Sequence, residues 1–222
     1  MSVANINDFG EIYSAYAAGC LDPAFALMLE TQAALRPDVS RAIARAETIA
    51  GIFLENENAV ELSENAVQTA LAMIEEIEAP KRSCRAAQIA GEGLEEILAL
   101  PEPVREHALQ ACGERGWQRL GEGVARLKLD LESKADVELY RIGAGRTVPR
   151  HSHEGGEFTL VVSGGFSDDT GQFGPGDLSF KGPEHTHQPT GDLDGTCYAL
   201  AIREGGLRFT GAMGLLQKLL GQ

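Results

Sequence analysis

In the first third of the chain, apolar residues recur every three to four positions, the spacing of a buried stripe on a helix. No segment between residues 1 and 80 alternates between apolar and polar residues with a period of two, as a half-buried strand would. Gly19 and the pair Asp22-Pro23 are typical helix end and start signals, and Ser63 is a candidate N-terminal cap. The pattern predicts a small helical bundle with helices at 9–18, 23–35, 37–54 and after Ser63.

From Trp117 onward the chain shows short alternating segments instead. Glycine-rich turns separate them, for example at 143–145 and 174–176, and many short strands with such turns are typical of a sandwich or barrel. The candidate strands are 124–131, 137–142, 158–162, 178–180, 197–202 and 207–209. The last apolar stretch, 212–220, returns to helical spacing. Trp117, the single tryptophan of the sequence, is expected to pack in the core or between domains.

The segment between the two halves has the composition of a linker. Prolines at 80, 101 and 103 interrupt it, and a short helix is expected near 94–98. We therefore predict an α + β protein of two domains. The predicted division is a helical domain at 1–80, a linker at 81–101, and a β-barrel domain at 102–222 that ends in a short helix.

The formal net charge of −14 at pH 7 argues against direct nucleic-acid binding, which requires a basic face. Residues 1–80 hold thirteen Asp or Glu against three Arg and no Lys, so most of the excess charge lies in the helical half. One interpretation is an ordinary solvated helix surface. The other is an acidic surface that binds a basic protein partner.

The four cysteines are scattered, without the paired spacing of a zinc site or a redox dithiol. They are Cys20, Cys84, Cys112 and Cys197. The sequence shows neither a signal peptide nor an apolar run that could span a membrane, so we predict a cytoplasmic protein with free thiols. Exposed barrel edges favour a homodimer.

Four of the five histidines lie in two short segments. His151 and His153 are two residues apart, so on a strand both would point to the same face. Glu157 follows a Gly155-Gly156 turn and can return its carboxylate to the same place, whereas Glu154 is a neighbouring carboxylate that competes for this role. Two imidazoles and a carboxylate suit a divalent transition metal.

The second histidine segment supplies the fourth candidate ligand. His185 and His187 share the same strand parity, so the residues alone leave both open. The histidine that does not bind a metal would then lie at the rim of the site or support a ligand from behind.

The spacing of these residues resembles the cupin family. The first cupin motif is matched at every position, by Gly145, His151, His153, Glu157 and Gly164. The second is matched in part, by Gly176 and His187, while Gly182 and Glu184 depart from it. The resemblance implies a cupin barrel with one divalent metal ion bound by His151, His153, Glu157 and His187, and it favours His187 over His185. Zinc is the metal that it implies, although this ligand set also accepts iron, manganese, nickel or cobalt.

The whole chain is similar to the ChrR-type anti-sigma factors. The likeness is carried by the helix end at 15–19, the Trp117 region, the segment 142–176 and the strand 207–209. It implies a cytoplasmic transcriptional regulator whose N-terminal helices bind an extracytoplasmic-function (ECF) sigma factor. Its cupin domain would respond to an oxidative or small-molecule signal, the latter bound in the barrel, and release that partner.

One departure from that family is large. Its N-terminal domain binds zinc, yet the matching positions here are Asn7, Gln32, Arg36 and Val39, and none of them is a good zinc ligand. The helical module is therefore expected to be held by its apolar core alone. It could still bind a sigma factor through its helix surface, or serve dimerisation instead.

Two other functions compete with this interpretation. A metal-dependent cupin enzyme, such as a dioxygenase or isomerase, could use Tyr140, Tyr198 and His185 around its metal, although no acid–base group beyond the ligands is evident in the sequence. A barrel filled by Phe158, Phe166, Phe173 and Phe180 would argue against it. The third function is dimerisation and sensing around a purely structural metal.

Overall fold

The computed structural model of the protein describes residues 10–78, 94–205 and 207–209. The helices are α1 (Gly10–Ala17), α2 (Pro23–Leu35), α3 (Pro37–Glu55), α4 (Ala66–Glu78), α5 (Leu94–Leu98) and α6 (Val104–Glu114). The strands are β1 (Gln118–Gly121), β2 (Val124–Leu129), β3 (Asp136–Ile142), β4 (His151–His153), β5 (Glu157–Ser163), β6 (Phe166–Asp168), β7 (Gly171–Phe173), β8 (Leu178–Lys181), β9 (Thr186–His187), β10 (Thr190–Gly191), β11 (Cys197–Arg203) and β12 (Leu207–Phe209).

The first three helices begin and end where the local signals predicted. The Asp22 carboxylate accepts a hydrogen bond from the Ala24 N–H at 2.9 Å, and Pro23 occupies the first turn, where its missing N–H leaves no bond unmade. Gly19, just after α1, has a φ of 67°, which a residue with a Cβ rarely adopts. These helices pack around a small core of Tyr13, Leu29, Val39 and Ile43.

The fourth helix differs from the others in its packing. It begins at Ala66, three residues beyond the predicted cap at Ser63. Its apolar residues from Val67 to Ile74 are exposed, as are those in the C-terminal half of α3. The compact part of the helical half is therefore formed by α1, α2 and the first half of α3.

The second half is a cupin-type antiparallel β-sandwich. A six-stranded sheet has the order β1-β2-β3-β11-β5-β8, and two three-stranded sheets have the orders β10-β6-β7 and β12-β4-β9. Each predicted strand is present. The short strands β6, β7, β9 and β10 were not predicted, because each has too few residues to show a period. Helix α6 was not predicted either, and the helix expected at 212–220 lies outside the described residues.

Strand β11 is buried along its whole length because both faces of its sheet are covered. Its inward residues Cys197, Ala199 and Ala201 belong to the core inside the barrel. Its outward residues Tyr198, Leu200 and Ile202 belong to a second core that the helices complete. For this reason the sequence of β11 is a nearly continuous apolar run and does not alternate between apolar and polar residues.

Helix α2 belongs to that outer core. Ala24, Leu27 and Met28 are buried in the same cluster as the outward residues of the sheet, and the ring of Phe25 meets Phe158 edge-on at 5.3 Å between centroids. The helical half therefore packs directly against the barrel. In addition, the Ser133 hydroxyl donates to the Asp22 carboxylate at 2.7 Å.

Polar contacts at the α2–α3 junction correct the expectation that an apolar core alone holds the helices. The Gln32 side-chain amide donates to the Gly176 carbonyl oxygen at 3.0 Å. Arg36 forms ion pairs with Asp38 at 3.1 Å and with Asp177 at 3.4 Å. Two positions that match zinc ligands in the resembled family thus attach the helices to the turn before β8.

The predicted short helix α5 is confirmed at 94–98, and it packs against the sheet. Ile97 and Leu100 are fully buried in the outer core. Arg141 binds the Glu96 carboxylate at 2.8 Å, and the Tyr198 hydroxyl donates to the same group. Trp117 packs against this core with its ring edge-on to Tyr198, as expected. The division at 81–101 stays a prediction.

Two predictions about the chain as a whole concern membranes and thiols. Across the described ranges, no helix is both long and apolar enough to cross a lipid bilayer. Cys20, Cys112 and Cys197 are free thiols, and Cys84 lies outside the described residues.

Replacing Gly176 by Ala should lower the free energy of unfolding by about 2 kcal/mol or more, because φ is 85° there. A Cβ would also stand 2.6 Å from Arg36 Cγ, inside the junction between the two halves. Urea denaturation measures the change. Gly174→Ala is the matched control, since its Cβ would meet nothing closer than Asp177 Oδ2 at 3.8 Å.

An Arg36→Ala background separates the two causes. It removes the clash but not the backbone strain, so Gly176→Ala should lower the free energy of unfolding by less in that background. An equal loss in both backgrounds would show that the Arg36 side chain does not clash with a Cβ at position 176.

Candidate metal centre

The four residues predicted as metal ligands lie together inside the barrel. His151 and His153 are the two ends of β4, with the half-buried Ser152 on the opposite face. His187 pairs directly with His151 across the β4–β9 ladder, and Glu157 is the first residue of β5. One ligand atom from each residue lies within 4.8 Å of all the others, and all four side chains are buried.

The turn between His153 and Glu157 requires glycine. A Cβ on Gly155 would overlap the carbonyl oxygen of Glu204, the residue after β11. The turn can therefore press against the end of β11 and return Glu157 to the histidines within four residues. The alternative carboxylate, Glu154, is exposed at the tip of this turn and is not part of the cluster.

The hydrogen bonds of the two paired histidines fix their tautomers. His151 Nδ1 is 2.7 Å from the Pro149 carbonyl oxygen, which can only accept, so that nitrogen carries the proton. His187 Nδ1 is 3.1 Å from the Asp168 carboxylate, so it also carries a proton. In the neutral rings both Nε2 atoms then present lone pairs, and they face each other at 3.2 Å. A cation between them would remove this repulsion.

His153 gives a second indication that a cation fits. Both of its ring nitrogens are buried without a hydrogen-bond partner, which is costly for polar atoms. Its Nε2 is 3.3 Å from Glu157 Oε2. An unsatisfied nitrogen beside a buried carboxylate and two facing lone pairs is an arrangement that a divalent ion would satisfy.

The protonation states also suit metal binding. Burial lowers the pKa of His151 to about 4, and the neighbouring His187 adds to that shift, so the ring is neutral at pH 7. Burial alone would raise the pKa of Glu157, but His153, His151 and Arg203 outweigh it and lower the pKa to about 2. The site therefore combines neutral imidazole with an ionised carboxylate, as metal ligation requires.

Charged residues behind the ligands hold them in place. Asp168 Oδ2 lies 3.1 Å from His187 Nδ1 and 3.1 Å from the ammonium of the buried Lys181. Burial raises the pKa of Asp168, yet hydrogen bonds from His187, Thr170 and Lys181 hold it well below its usual range. Such a carboxylate orients the imidazole and makes it a stronger ligand.

Arg203 performs a related task on the other side of Glu157. It is buried, and its guanidinium binds Glu138 at 2.7 Å and the Tyr140 hydroxyl at 2.8 Å, with Glu157 Oε2 at 3.9 Å. Sequence reasoning missed Asp168, Lys181 and Arg203. The sequence does give one indication of Arg203. The side chains that precede it on the inward face of β11 are small and apolar, so a charged residue at the next inward position stands out.

The cavity beside the ligands is small. Its volume is about 30 Å³, close to the space of one water molecule, whereas pockets for organic ligands have about 300–1,000 Å³. Phe166 is part of its wall and stacks on Phe173 at 5.0 Å between centroids. Phe158 and Phe180 contact each other elsewhere, in and beside the outer core, so two of the four predicted phenylalanines fill the interior.

The other residues considered from the sequence are distributed around the site. Tyr140 lines the cavity, while Tyr198 faces the helices on the opposite side of the sheet. His185 is 41% exposed and lies beside Glu184 at 3.1 Å, outside the ligand cluster. His107 is half-buried on α6, away from these ligands.

Comparison with known proteins gives consistent matches. The ChrR Cupin-like domain family matches residues 105–204. The Anti-sigma-E factor ChrR of Cereibacter sphaeroides is 31% identical over 199 residues, which cover 89% of each chain. A crystal structure of Rhodobacter sphaeroides SigE in complex with the anti-sigma ChrR matches with a TM-score of 0.65 and 28% identity. That match covers 88% of this chain and 96% of the other.

Removing a bound divalent ion should destabilise the protein, because the facing lone pairs of His151 and His187 and one ring nitrogen of His153 would be left uncompensated. Dialysis against a chelator should lower the melting temperature, and adding back the metal should restore it. A free metal concentration a hundredfold above Kd should raise the free energy of unfolding by about 2.7 kcal/mol. An unchanged melting temperature, with no metal found by elemental analysis, would contradict a metal site.

Asp168→Asn should weaken divalent-ion binding about 10- to 100-fold, since a neutral amide accepts the Nδ1 proton of His187 more weakly than a carboxylate and forms no ion pair with Lys181. Competition with a chromogenic chelator measures the affinity. Asp169→Asn is the matched control, because Asp169 is the exposed neighbour on the same turn. Equal affinities in the two variants would mean that Asp168 does not support the site.

Proposed function

The chain belongs to the ChrR family of anti-sigma factors, and we propose that it binds an ECF-type sigma factor through its N-terminal helices. In this proposal residues 1–80 are the sigma-binding part, and residues 102–222 respond to an oxidative signal through a metal ion. The fold, the match to the SigE–ChrR complex and the exposed helix faces described below support it.

The observation that carries the proposal is an exposed apolar surface on α3 and α4. On α4, Val67, Leu71 and Ile74 follow the i, i+4, i+7 spacing of one helix face, yet all three are exposed. On α3, Ile52 and Phe53 continue the helix beyond its buried half, and Phe53 is 71% exposed. Exposed apolar helix faces of this kind on soluble proteins mark interaction sites.

The charges around this surface indicate the kind of partner. Glu55, at the end of α3, is exposed, and so are Glu57, Glu61 and Glu64 on the segment between the two helices. Exposed apolar side chains followed in the chain by acidic ones fit a partner that presents apolar side chains among basic ones. A sigma factor with basic surface residues would satisfy both requirements.

We further propose that His151, His153, Glu157 and His187 bind one divalent ion. Three imidazoles and one carboxylate give the four-coordinate nitrogen and oxygen set that zinc accepts, which supports zinc as the resident metal. Iron, manganese, nickel and cobalt accept the same donors, and elemental analysis of the purified protein distinguishes them.

The small interior favours sensing over catalysis. A cavity of about 30 Å³ leaves room for a species the size of water or dioxygen beside the metal, and not for an organic substrate. Among the described residues, the polar cavity-lining groups besides the ligands are Tyr140 and Thr159. Burial is the main cause that raises the pKa of the Tyr140 hydroxyl, which makes it a poor proton donor near neutral pH. An oxidative signal therefore fits the barrel better than a larger effector.

A continuous structural connection links the metal centre to the helices. Lys181, at the end of β8, binds Asp168, which in turn holds His187. The turn at the start of β8 holds Gln32 and Arg36 at the α2–α3 junction. A change in the ligand set can thus reach the helices through β8.

Two further parts of the proposal concern location and assembly. Sigma factors act on RNA polymerase, so the proposed location is the cytoplasm. The proposed homodimer rests on the open edge of the main sheet, where β1 pairs with β2 alone and carries mostly exposed residues.

Leu71→Asp should reduce sigma-factor affinity by about 30-fold or more, because it places a charge between Val67 and Ile74 on the exposed apolar face of α4. Leu71 is 57% exposed in the free chain, so the stability of the protein alone should stay within about 0.5 kcal/mol. Co-expression and co-purification with the ECF sigma factors of the source organism test the complex, and titration measures its affinity.

Leu193→Asp provides the control for this experiment. Leu193 is 88% exposed on the barrel, so it undergoes the same change of side chain away from the proposed surface. The proposal fails if the wild-type chain forms no complex with any of these sigma factors, or if both variants bind equally well.

A further inference from the structure

A second cavity lies between the helical half and the barrel half. Its volume is about 540 Å³, within the range of about 300–1,000 Å³ that organic ligands occupy. Residues of α1 and α2 form one wall, His107 of α6 forms part of the other, and the loop after β2 closes one end. We call it the interdomain cleft. It is separate from the metal cavity and shares no residue with it.

The interior surface of the cleft is mainly apolar. Leu21, Pro23, Ala26 and Leu27 line it from the helical side, and Leu131 lines it from the barrel side. Leu27 belongs to the outer core and Leu131 packs against it, so this floor is part of the folded structure. A surface of this kind would contact the hydrocarbon part of a ligand.

The charged groups of the cleft are all of one sign. Glu30 comes from α2, and Asp130 and Glu132 come from the loop after β2, whereas neither Lys nor Arg is among the lining residues. Carboxylates from both halves thus line the same cleft as the apolar floor. Charge complementarity favours a cationic occupant over a neutral or anionic one.

Two of these carboxylates are held in position by neighbours. The Tyr16 hydroxyl donates to Glu30 Oε1 at 2.8 Å, which places the Tyr16 ring on the cleft wall. Asp130 forms an ion pair with Arg115, the residue after α6, which does not line the cleft. A carboxylate has about four acceptor positions, so each still has capacity for a ligand N–H. An aromatic ring beside them adds a surface that attracts a cation.

We propose that the interdomain cleft binds an organic cation with an apolar body, such as an aromatic or alkyl amine. The ammonium group is held by Glu30 and Asp130, and the body lies on Leu21, Leu27 and Leu131. This goes beyond sigma-factor binding and metal binding, because the cleft shares no residue with the exposed apolar faces of α3 and α4 or with the proposed metal ligands. Since its walls come from both halves, an occupant contacts both and stabilises their association.

Isothermal titration of the full-length, metal-loaded chain with tryptamine tests the proposal. The matched probe is 2-(indol-3-yl)ethanol, which has the same ring system and a hydroxyl in place of the ammonium group. Tryptamine should bind saturably and at least about 10-fold more tightly than the alcohol, because a hydrogen bond to a charged group contributes about that factor or more. Tryptamine should also raise the melting temperature.

Two variants locate the binding. Glu30→Gln and Asp130→Asn should each weaken tryptamine binding about 10-fold while leaving the weak binding of the alcohol unchanged. Glu95→Gln removes the same charge from an exposed position outside the cleft and should not change tryptamine affinity. Circular dichroism and thermal melting confirm that each variant is folded.

Three outcomes would overturn the inference. They are the absence of saturable tryptamine binding, equal affinity for tryptamine and the alcohol, and tryptamine affinity that both cleft variants leave unchanged. Each of them leaves sigma-factor binding unaffected, since Leu71 and Phe53 lie outside the cleft. The two proposals can therefore fail separately.

Discussion

Strand β11 is buried on both faces, and the remaining structure is organised around this constraint. On the inward face, Ala199 and Ala201 are small and leave room for the ligand cluster and its narrow cavity. On the outward face, Leu200 and Ile202 supply the apolar surface on which α2 and α5 pack. A charged residue in place of Ala199 or Leu200 would disrupt one of these two cores. The candidate ligand cluster and the attachment of the helices therefore depend on the same strand.

The interior of the barrel also contains buried charged side chains, which lower stability unless they are compensated. An ionised Glu157 inside a barrel is unfavourable unless opposite charges and hydrogen bonds compensate it. In register beside it lie Lys181 on β8 and Arg203 on β11, both buried. Arg203 is paired with Glu138, and Lys181 with Asp168. These pairs keep the ligands in place independently of a metal, so that ion binding requires little rearrangement.

The two ends of the helical half have different roles. At the α2–α3 junction, Gln32 and Arg36 bond to the turn before β8, so one end is fixed to the barrel. At the other end, the second half of α3 and α4 expose apolar side chains. The proposed sigma-binding surface is therefore accessible, and the helices that carry it are attached to the barrel at the α2–α3 junction. The interdomain cleft is lined by residues of both halves, so an occupant would touch both.

The features that the sequence alone determined are those set within a few residues. The cap at Asp22, the shared face of His151 and His153, and the glycine turn to Glu157 follow from local geometry, and a strand or helix period needs no information from distant residues. The tertiary structure decided what depends on register between distant strands or on packing between halves. It brought Asp168 and Lys181 behind His187, aligned Arg203 with Glu157, and attached Gln32 and Arg36 to a turn about 140 positions away. Sequence periodicity does not predict these pairings, because it is a property of one segment and contains no information about the distant segment that packs against it.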